Sequence, residues 1–369
     1  MKITRVEALH VRLAEVREIA DGTQDCLVVR LHTDEGVTGL GEVTSCSYVA
    51  KAVIEAPRSA PFRHGLAAVI VGMDPTERDD VIAAMEEGTA WYGPEGVTRH
   101  AMSAIDMALW DLCGKVAGVP VRKLLNSEAL ATVSCYASAY CPDTPEAVAE
   151  LSRSFLAQGY RAVKFGWGPF GAEPSLDVEL VAAAREALGP DVLLMMDAGR
   201  AWDLDTALQR AQSLVPFDLH WLEEPLPPRD FAGYGRLCAA SALPIAAGEA
   251  LTWVGDFERL LTEGGVDVVQ PDLGHIGGLS FGERIATLAD HCQAQVVPHA
   301  FGTGVLQAAS TQWAAARSGL TEYTESESPL STSLVRHTTK FDNGLLQLSD
   351  AAGLGVELNE EVVEKFIVN

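Results

Sequence analysis

Apolar and polar positions alternate from Ile3 to Leu13 and again from Cys26 to His32, which predicts two β-strands. The Asp34-Glu35-Gly36 turn leads into a third, from Val37 to Glu42. The period then becomes helical around Thr76 to Glu87 and from Thr98 to Val116, where Gly118-Val119-Pro120 supplies a stop. Residues 14–25 and 43–65 are weakly periodic and read as loops. The opening third is therefore α+β.

From about residue 130 the pattern changes. Short β-rich runs (VSCYAS, AVKF, VLLMMDA, HWLEEP, PIAAGE, VDVVQPD, AQVVPHA, LTEYTE) alternate with helical ones, which implies βαβ units and a parallel sheet. Polar residues close these runs: Tyr136, Lys164, Asp197, Glu223, Glu249, Asp272, His299 and Glu322, separated by 28, 33, 26, 26, 23, 27 and 23 residues. Each interval has the length of one βα unit, and eight such units close a barrel. The reading is an α/β chain with an N-terminal domain over residues 1–127 and a barrel over 128–330. Residues 331–369, containing GLLQLSDAAGLGVELNEEVVEKF, read as strand, turn and helix and are expected to pack back on the first domain.

With 369 residues, 48% of them apolar and 21% charged, the chain has material for a large core. Its formal charge of −24 repels phosphate backbones and anionic lipid heads, so nucleic acid and membrane surfaces are excluded as partners. The seven cysteines form no CxxC and suit reduced thiols, and no signal or spanning segment is legible, so a cytoplasmic location is expected.

In such barrels the carboxyl ends of the strands form the active face. A single Asp after a strand is usually a helix cap. Successive strands ending in Asp197, Glu223, Glu249 and Asp272 are another matter, because converging carboxylates without a cation would repel strongly. Hard oxygen ligands select Mg²⁺ or Mn²⁺ over zinc. Strand alternation allows only one of Glu223 and Glu224 to face such an ion, and periodicity does not choose between them.

The ordered motifs MMDAGR, WLEEP, AAGEA, QPDLGHIGG and VPHAFGTG, with AMSAIDMALWDLCGK before them and GLGVEL after, resemble the enolase superfamily, specifically its mandelate racemase subgroup within the mandelate racemase and muconate lactonizing enzyme family. The resemblance covers essentially the whole chain. It implies a modified TIM barrel, (β/α)7β, under an α+β capping domain. It assigns Asp197, Glu223 and Glu249 to Mg²⁺ and makes Asp272 and His299 a dyad whose carboxylate orients the imidazole. Glu322 is expected to hydrogen-bond a substrate carboxylate as a protonated donor, and Lys164 matches the first lysine of a Lys-x-Lys motif. The second lysine is replaced by Gly166, so one face of the substrate's α-carbon lacks its usual base.

The expected chemistry is removal of the proton next to a carboxylate by His299, giving an enediolate that the divalent cation stabilises, a mechanism general to this superfamily. Expulsion of a β-hydroxyl then dehydrates a sugar acid (aldonate or aldarate), whereas expulsion of a ring oxygen is lactone cycloisomerisation. An epimerase using Lys164 as second base and an inactive metal-binding barrel are the weaker alternatives. Family resemblance further implies a small-molecule carboxylate substrate and a homo-oligomer, dimer or octamer.

Loops of the first domain are expected to close over the site. They carry Arg17, Asp21, Gln24, Ser45 and Tyr48, and of the whole chain Tyr136, Tyr48 and Gln24 are assigned to the substrate. Gly166 to Gly171 spells GxGxxG, but Pro169 removes an amide that a pyrophosphate needs, so it reads as a roomy loop. Phe301-Gly302-Thr303-Gly304 lacks an accompanying cation for phosphate, and His64, His100 and His220 are given no role.

Overall fold

The computed structural model describes residues 1–369 except 18, 20, 21, 61, 62, 325, 327, 338 and 369, and at 337 the backbone only. Strands β1 (Ile3–Arg12), β2 (Asp25–Thr33) and β3 (Thr38–Val43) form an antiparallel meander. Helix α1 (Val97–Ala117) lies across it, ending at Gly118 with a left-handed φ of 70°. The sequence explains how close it lies. A Cβ at Gly39 or Gly41 would stand 2.1 Å from the Ala108 carbonyl oxygen or 1.9 Å from that of Ala104. Glycines two apart on the strand thus meet alanines four apart on the helix, and both backbones come into contact.

Eight parallel strands follow: β4 (Thr132–Tyr140), β5 (Ala162–Gly166), β6 (Leu193–Asp197), β7 (Trp221–Glu223), β8 (Ile245–Ala247), β9 (Val268–Val269), β10 (Gln295–Val296) and β11 (Leu320–Thr324). They pair in the order β11-β4-β5-β6-β7-β8-β9-β10, and a helix of nine residues or more follows each strand from β4 to β10, which is the (β/α)7β arrangement. No strand pairing joins β10 to β11 among the described residues. Side chains bridge that seam: the Ala300 amide donates to the Glu322 carboxylate (2.6 Å) and the Thr324 hydroxyl donates to the Ala300 carbonyl (2.9 Å).

Inside the barrel, one inward residue from each strand builds a closed floor: Tyr136, Ala162, Met195, Trp221, Ala246, Val268, Val297 and Leu320. Side chains repeat direction every second residue, so the next inward layer lies two positions on. That layer is Ser138, Lys164, Asp197, Glu223, Gly248, Gln270, His299 and Glu322. An apolar floor under a polar layer is what places the site.

After the barrel come β12 (Val335–His337), β13 (Lys340–Asp342), β14 (Leu345–Gln347) and β15 (Val356–Leu358). The β13–β14 hairpin extends the barrel sheet antiparallel to β4, whereas Leu354 donates its amide to Asp111 of α1 (2.8 Å) and Val368 donates to the His10 carbonyl (2.8 Å). The closing segment therefore touches both parts of the molecule.

Helix α1 also grips the barrel. Gly277 and Gly278 (φ 104° and 83°) follow Asp272, and a Cβ at Gly278 would stand 2.3 Å from the Asp106 carboxylate. This close approach lets Gly277 donate to Ser103 (2.8 Å), while the amide and hydroxyl of Ser280 donate to Asp106 (3.0 and 2.6 Å). Burial pushes the Asp106 carboxyl up to about 6, against the opposing Ser280 hydrogen bonds and the Arg78 charge. A carboxyl whose folded value is raised stabilises the fold while protonated, so stability falls as pH rises from about 4 through 6. Relative to Asp106→Asn, the wild type is expected to lose about 2 kcal/mol between pH 4.5 and 7 in urea denaturation. Parallel profiles for the two proteins would refute this.

Candidate active site

Lys164 stands on β5 above the Tyr136 ring, its Nζ 5.6 Å from the ring centre. It is buried, donates to Glu223 at the end of β7, and is ion-paired with Glu322 on β11 (3.0 Å). Glu223 also accepts from the Trp221 indole (2.8 Å) and the Gln270 amide (2.7 Å). The choice between the two glutamates is thereby settled in space: Trp221 and Glu223 share the inward face. Glu224 turns off the strand with φ 39° and meets Arg200 at 3.6 Å.

Asp197 ends β6 and accepts from the Gly199 amide (2.7 Å). On the next strand but one, Gly248 takes φ 136°, a conformation closed to other residues, and this turn delivers Glu249 instead of the residue before it. Carboxylate oxygens of Asp197, Glu223 and Glu249 lie within 4.8 Å of one another. Burial, then Glu223 and Glu249, hold the Asp197 carboxyl well above its ordinary range. Crowding of this kind, among hard oxygen donors, fits a divalent cation such as Mg²⁺ or Mn²⁺.

Asp272 and His299 extend beyond β9 and β10, joined by a parallel bridge. The His299 Nδ1 faces Asp272 at 2.6 Å and its Nε2 faces Glu249 at 3.2 Å and Glu322 at 3.8 Å. Burial works against the imidazolium, but Glu249, Glu322 and Asp272 outweigh it and raise the His299 value well above the ordinary one.

Glu322 corrects an expectation. Burial would favour the protonated acid, yet Lys164, then His299, then hydrogen bonds from Ser138 and Ala300 outweigh it and pull the carboxyl down to about 2. The neighbours that dominate are a lysine, a histidine and two donors, surroundings that favour its ionised, accepting form over the protonated donor that was expected.

A cavity of about 400 Å³ opens between barrel and cap, within the usual ~300–1,000 Å³ of ligand pockets. Lys164, Asp197, Glu249, Asp272, His299 and Glu322 line it. Glu223 stands beneath, buried behind Lys164. The three residues assigned to substrate lie elsewhere. Tyr136 is fully buried in the floor, one layer too low, and Ser138 takes the place expected of it. Tyr48 is exposed on a cap helix, edge-on to His10 at 4.6 Å. Gln24 is buried and its side-chain amide clamps the Arg17 backbone in both directions (2.8 and 3.1 Å). Asp21 lies outside the described residues, and Ser45 does reach the cavity, bonded to His100 (2.8 Å).

Several lining residues escaped the reading: Asp25, Ser138, Tyr140, Trp167 and His275. Counting two on from the floor finds Ser138 and Gln270. No such rule finds His275, whose ring nitrogens meet the Glu249 carbonyl (3.0 Å) and the Thr44 carbonyl of the cap (2.6 Å).

Barrel, cap and carboxylate cluster define a class of α/β barrel proteins whose chemistry sits where strand ends meet a second domain. Comparison with known families agrees in both halves. Residues 6–126 match the mandelate racemase / muconate lactonizing enzyme N-terminal domain and residues 146–362 the enolase C-terminal domain-like family. The D-galactarolactone cycloisomerase of Agrobacterium fabrum is 32% identical over 99% of both chains. The L-rhamnonate dehydratase of Saccharopolyspora erythraea is 32% identical over 91% of this chain and 84% of its own. A racemase from Streptomyces coelicolor, solved with bound magnesium, superposes with a TM-score of 0.87 at 28% identity, covering 99% of this chain and 100% of that one. The chain belongs to the enolase superfamily, in its mandelate racemase / muconate lactonizing enzyme family.

Titration calorimetry with Mg²⁺ or Mn²⁺ is expected to show one site per chain, weakened roughly 10-fold or more by Asp197→Asn. Binding requires the Asp197 proton to leave, so affinity should rise with pH through that elevated value. An unchanged affinity in the variant would remove Asp197 from the site.

Proposed function

We propose that the protein is a Mg²⁺-dependent hydro-lyase that removes the proton α to the carboxylate of a sugar acid and expels the β-hydroxyl. The observation that carries this reading is one-sided. In the polar layer above the barrel floor one imidazole, His299, oriented by Asp272 at 2.6 Å, faces the cavity, and Gly166 is the bare position across the site. Support for the substrate class comes from relatives that act on sugar acids or their lactones by elimination or cycloisomerisation.

When bound by Asp197, Glu223 and Glu249, the cation supplies positive charge to the substrate carboxylate and to the enediolate that grows from it. His299 in its neutral form, with the proton on Nδ1 facing Asp272, takes the α-proton at Nε2 as the C–H bond breaks. The electron pair moves to the α–β bond, the β C–O bond breaks, and the hydroxyl leaves with a proton as water. The enol left behind ketonises to a 2-keto-3-deoxy acid. His299, holding the only proton on that face, is the residue placed to return it to the leaving oxygen.

Lys164 does not act as a base here. Two carboxylates hold it, and Glu223 and Glu322 raise its value well above the ordinary one against the opposing effect of burial. It serves as a fixed cation beside the enediolate, which argues against an epimerase that needs a neutral amine on the second face. A second reading is cycloisomerisation, favoured by the full-length likeness to the D-galactarolactone cycloisomerase. Only the leaving group differs, a ring oxygen in place of hydroxyl.

The test is Mg²⁺-loaded protein with a panel of aldonates, aldarates and their lactones in D₂O, reading keto product, product mass and α-deuterium. Dehydration loses one water and cycloisomerisation loses none. His299→Asn should lower keto-acid formation by about 10²- to 10⁴-fold while the protein stays folded. Turnover preserved in that variant would refute the assignment of the base.

A further inference from the structure

Every cation that lines the cavity already has partners. Lys164 is held by Glu223 and Glu322 and His299 by Asp272 and Glu249, while the ring nitrogens of His275 are taken up by two backbone carbonyls. No arginine lines the cavity among the described residues. The cap side of the cavity instead includes an acidic residue, Asp25, whose carboxylate is held by His10 (2.8 Å) and Arg12 (3.1 Å), neither of which lines the cavity. Beside it are hydroxyls (Thr44, Ser45, Tyr140) and the Trp167 indole.

A substrate carboxylate anchored at the Lys164 and triad end sends the rest of its chain towards this wall. A terminal hydroxymethyl group finds acceptors and an aromatic face there. A second carboxylate finds Asp25 and no guanidinium fork of the kind that recognises carboxylates. We infer that the substrate carries one carboxylate, an aldonate or its anhydro or lactone form and not an aldarate, and that Asp25 is the residue that rejects the second. This rests on the sugar-acid reading above and narrows it.

The experiment compares matched pairs that differ only at the far carbon, D-galactonate with galactarate and D-gluconate with glucarate, on Mg²⁺-loaded protein. For any pair that reacts, kcat/KM should favour the aldonate by about 100-fold, and Asp25→Asn should narrow that ratio by about 10-fold, acting on the aldarate member. Affinities of the same pairs for Mg²⁺-loaded His299→Asn, measured by calorimetry, separate this inference from the catalytic one. Tighter aldonate binding without turnover in the wild type would sink the reaction and leave the single-carboxylate inference standing. An aldarate that binds or reacts as well as its aldonate overturns it, and loss of that advantage in Arg17→Ala would identify the cation responsible. Binding by neither member of any pair overturns both.

Discussion

Repulsion among three carboxylates at the ends of neighbouring parallel strands organises this molecule's interior. Asp197, Glu223 and Glu249 place oxygens within 4.8 Å of each other, Asp197 and Glu223 being buried. At such distances like charges in a partly desolvated site are costly, so each carboxylate needs a compensating group. Lys164 and the indole and amide donors compensate Glu223, the Gly199 amide compensates Asp197, and His299 compensates Glu249. His299 is thus tied to the cluster through the same glutamate that completes it. On the proposed reading, the glutamate that would complete the metal site is also a neighbour of the base, at 3.2 Å from its Nε2.

The cap is part of this arrangement because the loop that carries Asp272 is shaped by it. Gly277 and Gly278 let α1 come near enough for Ser103 and Asp106 to hold the loop. His275, three residues from Asp272, connects the Thr44 backbone to the Glu249 backbone. The motif QPDLGHIGG therefore reads as one mechanical unit: the dyad carboxylate, a strap to the cap, and two glycines that permit helix contact. Its sequence partner is the helix AMSAIDMALWDLCGK, whose Ser103 and Asp106 face those glycines.

Much of this was legible from spacing alone. A barrel repeat leaves regular intervals between the polar residues at strand ends, and seven of the eight picked in this way fall on or just beyond the polar layer above the floor. Tyr136 did not, because β4 runs on past it to Ser138 and Tyr140, so the tyrosine falls in the floor and Ser138 in the layer above. The surroundings of Glu322 were hidden for a related reason. Sequence counts carboxylates, but only geometry shows Lys164 at 3.0 Å and His299 at 3.8 Å from it. Cap contacts were the least legible. Tyr48 and Gln24 were chosen by type from weakly periodic loops, and their side chains serve a ring contact with His10 and a backbone clamp on Arg17.

Gly166 shows why a missing side chain is as informative as a present one. In register it sits opposite Asp197, and a Cβ there would come within 2.7 Å of the Asp197 Cβ and 2.9 Å of its carboxylate. Real Cβ atoms do not tolerate such contacts, so a larger residue at 166 requires Asp197 or its strand to shift. The bare backbone at 166 and the tight seating of Asp197 beside it are then one structural fact. On the proposed reading, the one-sided placement of the base follows from this close pairing of β5 with β6.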